Sequence, residues 1–166
     1  MSQRLAKAKV GIVALNWKFE MAKSEDFLKR IAAYGFKGIQ ISVEQANSEK
    51  FLSQMKQNDL ATAEQYLDIA CDENGPLTTA DAHSQEIVNA AIRAKVEMLV
   101  FAVDGTLERD IYAGRTHLGP HLTDMGYQKL ADHITKYAQQ ANAAGMRSSF
   151  HPHSATYIET PEETRK

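Results

Sequence analysis

The chain has 166 residues, of which 43% are hydrophobic and 24% charged, with a net charge of −2 at pH 7. That length and balance suit one globular domain with its own core, and the mixing of acids and bases leaves no electrostatic case for nucleic acid or an anionic membrane as partner. No segment reaches the ~18 consecutive apolar residues of a spanning helix, the basic start "MSQRLAKAKVGIVALNW" lacks a signal peptide's cleavage site, and Cys71, the single cysteine, excludes an internal disulfide, so a cytoplasmic address is the default expectation.

In chain order, "AKVGIVAL" (Ala8 to Leu15) reads as a buried strand ending at Asn16 and Trp17. Ser24 can cap a helix whose Phe27, Leu28, Ile31 and Ala32 share one face, and Gly35 stands where such a helix ends. "KGIQISV" is a second strand and "SEKFLSQMKQ" a second helix, with Phe51, Leu52 and Met55 on one side. "ATAEQYLDIA" is ambiguous: its position asks for a strand, but Ala, Glu and Gln favour a helix. After the break "DENGPLTT", a helix over Thr79 to Ala94 carries Ile87, Val88, Ala91 and Ile92. "EMLVFAV" is a fourth strand. A long polar loop then runs from Asp104 to Leu122. Thr123 or Asp124 opens the longest helix, which Gly145 ends, and "MRSSFHPH" is the fifth strand. Strands alternating with helices imply βαβ units and a parallel α/β sheet.

The end of the chain carries its own signal. Thr160, Pro161 and Glu163 form an N-cap, a first-turn proline and a capping box. Only Thr164, Arg165 and Lys166 follow, and one turn of helix is not stable alone. The expectation is that the sequence is cut short relative to a longer parent; the alternative is a frayed tail.

Ligands of parallel α/β proteins gather at the carboxyl ends of the strands. His151 and His153, alternate residues at such an end, can point together, with Pro152 stiffening the link. Imidazole is a ligand for divalent metals, and Glu159 can supply an oxygen; equally, the histidines can hydrogen-bond to phosphate, hydroxyls or backbone. Asp68 and Asp104 would share the same rim. Trp17 can stack on a sugar face. Arg109, Arg115, His117 and His121 in the long loop can bind an anionic or polyhydroxy substrate, or form a solvated loop. "LVFAVDGTLERD" is similar to an aspartyl-phosphatase motif, but Ala102 stands where the nucleophile is required. No dinucleotide or P-loop glycine motif follows the first strand.

"GMRSSFHPHSATYIETPEE" resembles the segment G-x5-H-P-H-x-x-T-x-x-E-T-x-x-E of inosose dehydratase-like proteins in the xylose isomerase-like TIM-barrel superfamily, the sugar phosphate isomerases/epimerases. "VGIVALNW", "YGFKGIQIS" and "LTDMGYQKLADHITKYAQQANAAGM" resemble, in order, its first strand, its turn into the second strand and its helix before the H-P-H strand. The resemblance implies a (β/α)8 barrel, represented by about five parallel βα units in a single domain. It implies a divalent metal (Mn, Co, Zn or Mg) with Glu159 as first ligand, and a pocket with Asn16, Trp17, Asp104, His151 and His153 against a small polyol, inosose or keto-sugar. It implies proton abstraction next to a carbonyl, followed by loss of water or by isomerisation. Gln40 departs from the glutamate usual at its position. A barrel of this kind takes roughly 200–250 residues or more, so about three units and the later ligands lie beyond this sequence. The isolated chain is therefore expected to be inactive, with sheet edges that a homo-oligomer would be one way to cover. The alternatives are a non-catalytic open-sheet protein binding a partner or polyol, and a flavodoxin-like sheet.

Overall fold

The computed structural model describes residues 9–13 and 25–166. Asn16, Trp17 and the candidate cap Ser24 lie outside the described residues. In chain order the elements are β1 (Gly11–Ile12), α1 (Glu25–Ala33), β2 (Gly38–Ile41), α2 (Val43–Ala46), α3 (Glu49–Gln57), β3 (Ala61–Ile69), β4 (Cys71–Asp72), β5 (Gly75–Pro76), α4 (Ala80–Ala94), β6 (Met98–Val103), α5 (Leu107–Asp110), a 3-10 turn at Thr116–Leu118, α6 (Asp124–Ala143), β7 (Arg147–Phe150) and α7 (Pro161–Thr164).

Five of the strands form one sheet in the order β1-β2-β3-β6-β7, and every neighbouring pair is parallel. The spatial order follows the chain order without reversal. This is the winding of a TIM barrel carried through five βα units, and it excludes the flavodoxin-like sheet, whose order reverses. The helices cover one face. Ile39 and Ile41 of β2, Leu67 and Ile69 of β3, and Leu99, Phe101 and Val103 of β6 share a single apolar core with Leu28 and Ile31, Met55, Val88 and Ala91, and Leu130 and Tyr137 from the helices.

The ambiguous segment "ATAEQYLDIA" is a strand. In its second half alternate residues (Gln65, Leu67 and Ile69) are buried, and it hydrogen-bonds on both sides, to β2 and β6. Pairing on two edges and burial on one face outweigh the helix propensity of Ala, Glu and Gln. The second strand stops at Ile41 instead of reaching Val43, because Ser42 and Gln45 make a reciprocal capping box that starts α2. The fifth strand stops at Phe150, before the proline that cannot donate to a ladder. Helix α6 is capped by the Thr123 side chain and ends at Gly145, whose φ of +84° is the left-handed value that favours glycine.

The "DENGPLTT" break is an antiparallel hairpin of β4 and β5 seated on the start of α6, where Thr123 N donates to Glu73 O at 2.8 Å. The backbones meet closely there: a Cβ at Gly126 would lie 2.7 Å from Glu73 O and 3.1 Å from Gly75 N. Neither neighbour is a side chain that can swing away. Gly126→Ala is expected to lower the unfolding free energy by about 1–3 kcal/mol as hairpin and helix are forced apart, read as a drop in the urea midpoint at unchanged slope.

Candidate active site at the carboxyl ends of the strands

The sheet face turned away from the helices is built by register. Glu64, Tyr66 and Asp68 of β3 stand opposite Met98, Val100 and Ala102 of β6, and Val100 pairs in turn with Ser149 of β7. The ladder runs one residue past the strands: Asp104 N donates to Ile69 O at 3.0 Å, and His151 N to Phe101 O at 2.8 Å. Alternation therefore places Asp104 and His151 on the same face as Tyr66 and Asp68.

Polar groups collect there. The Tyr66 and His151 rings meet edge-on with centroids 6.4 Å apart, and His151 and His153 are 5.6 Å apart. His83, from the first turn of α4, lies with Nε2 3.0 Å from Asp68 Oδ2. His153 donates from Nδ1 to Ser154 O at 2.9 Å, which leaves Nε2 of the neutral ring as an acceptor. Burial, with Asp68 adding to it, pushes the Asp104 carboxyl above its usual range against the opposing pull of His83. Burial also raises Glu64, partly offset by His151. Tyr66 is raised by burial and by the Asp104, Asp68 and Glu64 carboxylates. A carboxylate held more basic than usual is suited to taking a proton. Cys71 supplies no nucleophile: burial first, then Asp104 and Asp72, push its thiol up to about 12.

Of the residues expected from sequence, the structure brings Asp104, His151 and the neighbouring Asp68 to this face. Glu64, Tyr66 and His83 join them without having been expected. The signal for the first two was the alternation of residues 64, 66 and 68, usable only once the segment is known to be a strand. His83 gives no signal in sequence.

Glu159 sits differently. Its Oε1 accepts from Gly114 N at 2.6 Å and its Oε2 from Ala155 N at 2.9 Å. Among the described residues no group of three or more His, Cys, Asp or Glu side chains could hold a metal ion. The described donors therefore do not by themselves fit a divalent metal. Glu159 contributes one carboxylate whose oxygens each keep a further lone pair, and a single ligand is not a site.

The long loop also departs from expectation. Arg109 is no substrate-binding cation: it is 0% exposed. Its Nε donates to Thr156 O at 2.6 Å and its Nη1 to Pro120 O at 2.8 Å, and its Nη2 reaches both Glu163 oxygens at 3.0 and 3.3 Å. His121 Nδ1 lies 3.3 Å from Glu163 Oε1. The final turn is thus no frayed tail. Thr160 and Glu163 form the capping box, and Glu163 is 6% exposed. Burial works to raise the Glu163 carboxyl, but the amides of Glu159 and Thr160 and the Arg109 guanidinium outweigh it and hold it below its ordinary value.

No protein-family model matches the chain. No curated protein matches it. Solved structures do. A 3-keto-D-glucoside 4-epimerase from E. coli is 15% identical with a TM-score of 0.71, covering 96% of this chain and 62% of its own. A probable 3-DHS dehydratase from Bacillus anthracis is 11% identical at 0.65, covering 95% and 57%. A xylose isomerase-like TIM barrel protein from Mycobacterium smegmatis, in complex with magnesium, is 14% identical at 0.57, covering 85% and 50%. The chain thus spans half to three fifths of these neighbours' length, and at such identities the likeness establishes the fold alone, that of a TIM barrel carried through five strands.

Removing one partner of the buried pair strands a charge. Arg109→Met is expected to cost about 3–5 kcal/mol, measured by urea unfolding at pH 7. The sign of the pH effect follows from Glu163. A carboxyl depressed in the folded state stabilises above its unfolded pKa, and that contribution is lost as pH falls through the folded one. Wild-type stability should therefore fall from about pH 5 downward, and the fall should shrink in Glu163→Gln.

Proposed function

We propose that this chain is the N-terminal five βα units of a sugar isomerase/epimerase-type barrel acting on a polyol, inosose or keto-sugar by removing a proton next to a carbonyl. The observation that carries it is the convergence of Tyr66, Asp68, Asp104 and His151 toward the carboxyl ends of strands wound in barrel order, with Glu64 deeper on the same face, level with the start of β6. In such barrels this is the end where reactions occur. The raised carboxyls of Glu64 and Asp104 are the candidate bases. His151 and His153 offer ring nitrogens to substrate hydroxyls, and Asn16 and Trp17 are proposed to border the same pocket. Abstraction can end in reprotonation on another face or carbon, or in loss of water as inosose dehydration requires; the likeness to a probable dehydratase keeps the second ending in view. A divalent metal (Mn, Co, Zn or Mg) is proposed for the complete barrel, with Glu159 as this chain's ligand. Bound there, it would supply Lewis-acid polarisation of the substrate oxygen.

The alternative, a non-catalytic open sheet, leaves the basic carboxyls of this face without a role. The discriminating experiment starts with the reading frame past codon 166. It should continue into further strands, and that longer protein should exchange the hydrogen next to the carbonyl of a keto-sugar in 2H2O with added Mn or Co. Asp104→Asn should slow the exchange by about 10²- to 10⁴-fold. The 166-residue chain alone should show no turnover and should lose added metal on dialysis. Turnover by that chain alone, or a stop codon directly after Lys166, would sink the five-unit reading. A longer protein without exchange on any keto-sugar or polyol would sink the enzyme reading.

A further inference from the structure

A cleft of about 710 Å3 opens at the amino ends of the strands, between the C-terminal ends of α3 and α4. A volume of that order is ordinary for a small-molecule site. Five cations from four stretches of chain border it: Lys9 ahead of β1, Lys37 ahead of β2, Lys56 in the last turn of α3, and Arg93 and Lys95 at the end of α4. Among the described lining residues the acids are two, Asp59 and Glu97, although the whole chain carries a net −2. The floor is apolar, built by Leu52 and Met55 of α3 together with Leu60. Every described lining residue lies between Lys9 and Glu97, so the cleft owes nothing to the β7 edge.

Local needs absorb only part of this charge. Cations near helix C-termini offset the dipole, which accounts for Lys56 and Arg93, and Arg93 also donates to Asn47 Oδ1. Carbonyls at those helix ends already have donors of their own. Asn58 Nδ2 donates to Gln54 O at 2.8 Å, and Thr62 Oγ1 lies 2.9 Å from Ala94 O and 3.1 Å from Lys95 O. Lys37 pairs with Asp59 at 3.1 Å and Lys9 with Glu97 at 3.9 Å, in both cases with exposed side chains. Exposed pairs of this kind are weak and exchange partners readily. Lys95 stands at a φ of +54°, in the left-handed region that favours glycine. Backbone conformation alone would call for glycine there, yet the position carries a cation at the rim of the cleft.

We infer that this cleft binds a compact organic polyanion with an apolar body, of the nucleoside di- or triphosphate class. Cations converging from several sides of one concavity suit clustered phosphate oxygens, whereas an extended acidic peptide would be met by a row of them. The apolar floor suits the body of the ligand. This site is separate from the proposed sugar site, at the opposite end of the same strands. The test is calorimetric titration of the full 166-residue chain, without divalent metal and at low ionic strength, with adenosine diphosphate, pyrophosphate, adenosine and hexaglutamate. Backbone-amide NMR locates the binding. Adenosine diphosphate should bind tightest, pyrophosphate more weakly, with shifts at residues 60–62 and 95–97. Lys56→Gln/Lys95→Gly should weaken adenosine diphosphate by about tenfold or more. The glycine enters where φ favours it, so the fold is expected to stand. Lys129→Gln/Arg147→Gln, which removes the same charge from α6 and β7, should bind as the wild type does. Should either double variant not fold, Lys56→Gln against Lys129→Gln makes the same comparison. Equal weakening in cleft and control variants would mean attraction to net charge alone and overturns the inference. Shifts centred on Asp104 and His151 overturn it too. So do adenosine diphosphate binding no tighter than pyrophosphate or adenosine, hexaglutamate binding as tightly, and no binding at all.

Discussion

A fully buried guanidinium is expensive to desolvate and is tolerated only when its donors are satisfied. Arg109 meets that condition by gathering three separate stretches of chain: the Thr156 carbonyl, the Pro120 carbonyl and the Glu163 carboxylate. Glu163 then accepts the amides of Glu159 and Thr160, and Glu159 reaches back to Gly114 in the loop from which Arg109 came. Together with the Thr106 amide, which donates to Ala155 O at 3.0 Å, Glu159 and the Arg109–Glu163 pair tie the loop after β6 to the segment after β7. The placement of the H-P-H turn, and with it both histidines of the candidate site, depends on this pair.

The same chemical group serves opposite ends in the two halves of this region. Glu163, surrounded by donors, is held ionised and acts as a fixed anchor. Burial makes Glu64 and Asp104, on the open face, more willing to take a proton, and the neighbouring Asp68 adds to this at Asp104. Environment, not residue type, separates structural acid from candidate base.

Much of the fold was legible because its signals are local. Caps at Thr123 and Thr160, the stop at Gly145 and the apolar run of β6 each depend on neighbours within a few residues. The candidate site was legible at Asp104 and His151, which follow directly from strand ends. Glu64 and Tyr66 were hidden because β3 has the composition of a helix and becomes a strand only through its two partners. The role of Arg109 was hidden for another reason: its partner Glu163 lies 54 residues away, and nothing in a loop arginine's surroundings in sequence marks it for burial. The final helical turn looked unsupported for the same reason, since what holds it is an ion pair and not an apolar face.

Strand length along the sheet sets a gradient in time as well as in space. β3 and β6 share six paired residues at the centre of the sheet, against four between β6 and β7. Backbone amides in the central ladder can meet solvent only when the sheet as a whole comes apart, whereas those of the shorter ladder can open by fraying. In hydrogen exchange the two should differ by orders of magnitude in lifetime. The Tyr66, Asp68 and Asp104 side of the cleft is therefore its slow wall, preset before any ligand arrives, and adjustment to the shape of a ligand falls to the side of β7 and its histidine turn.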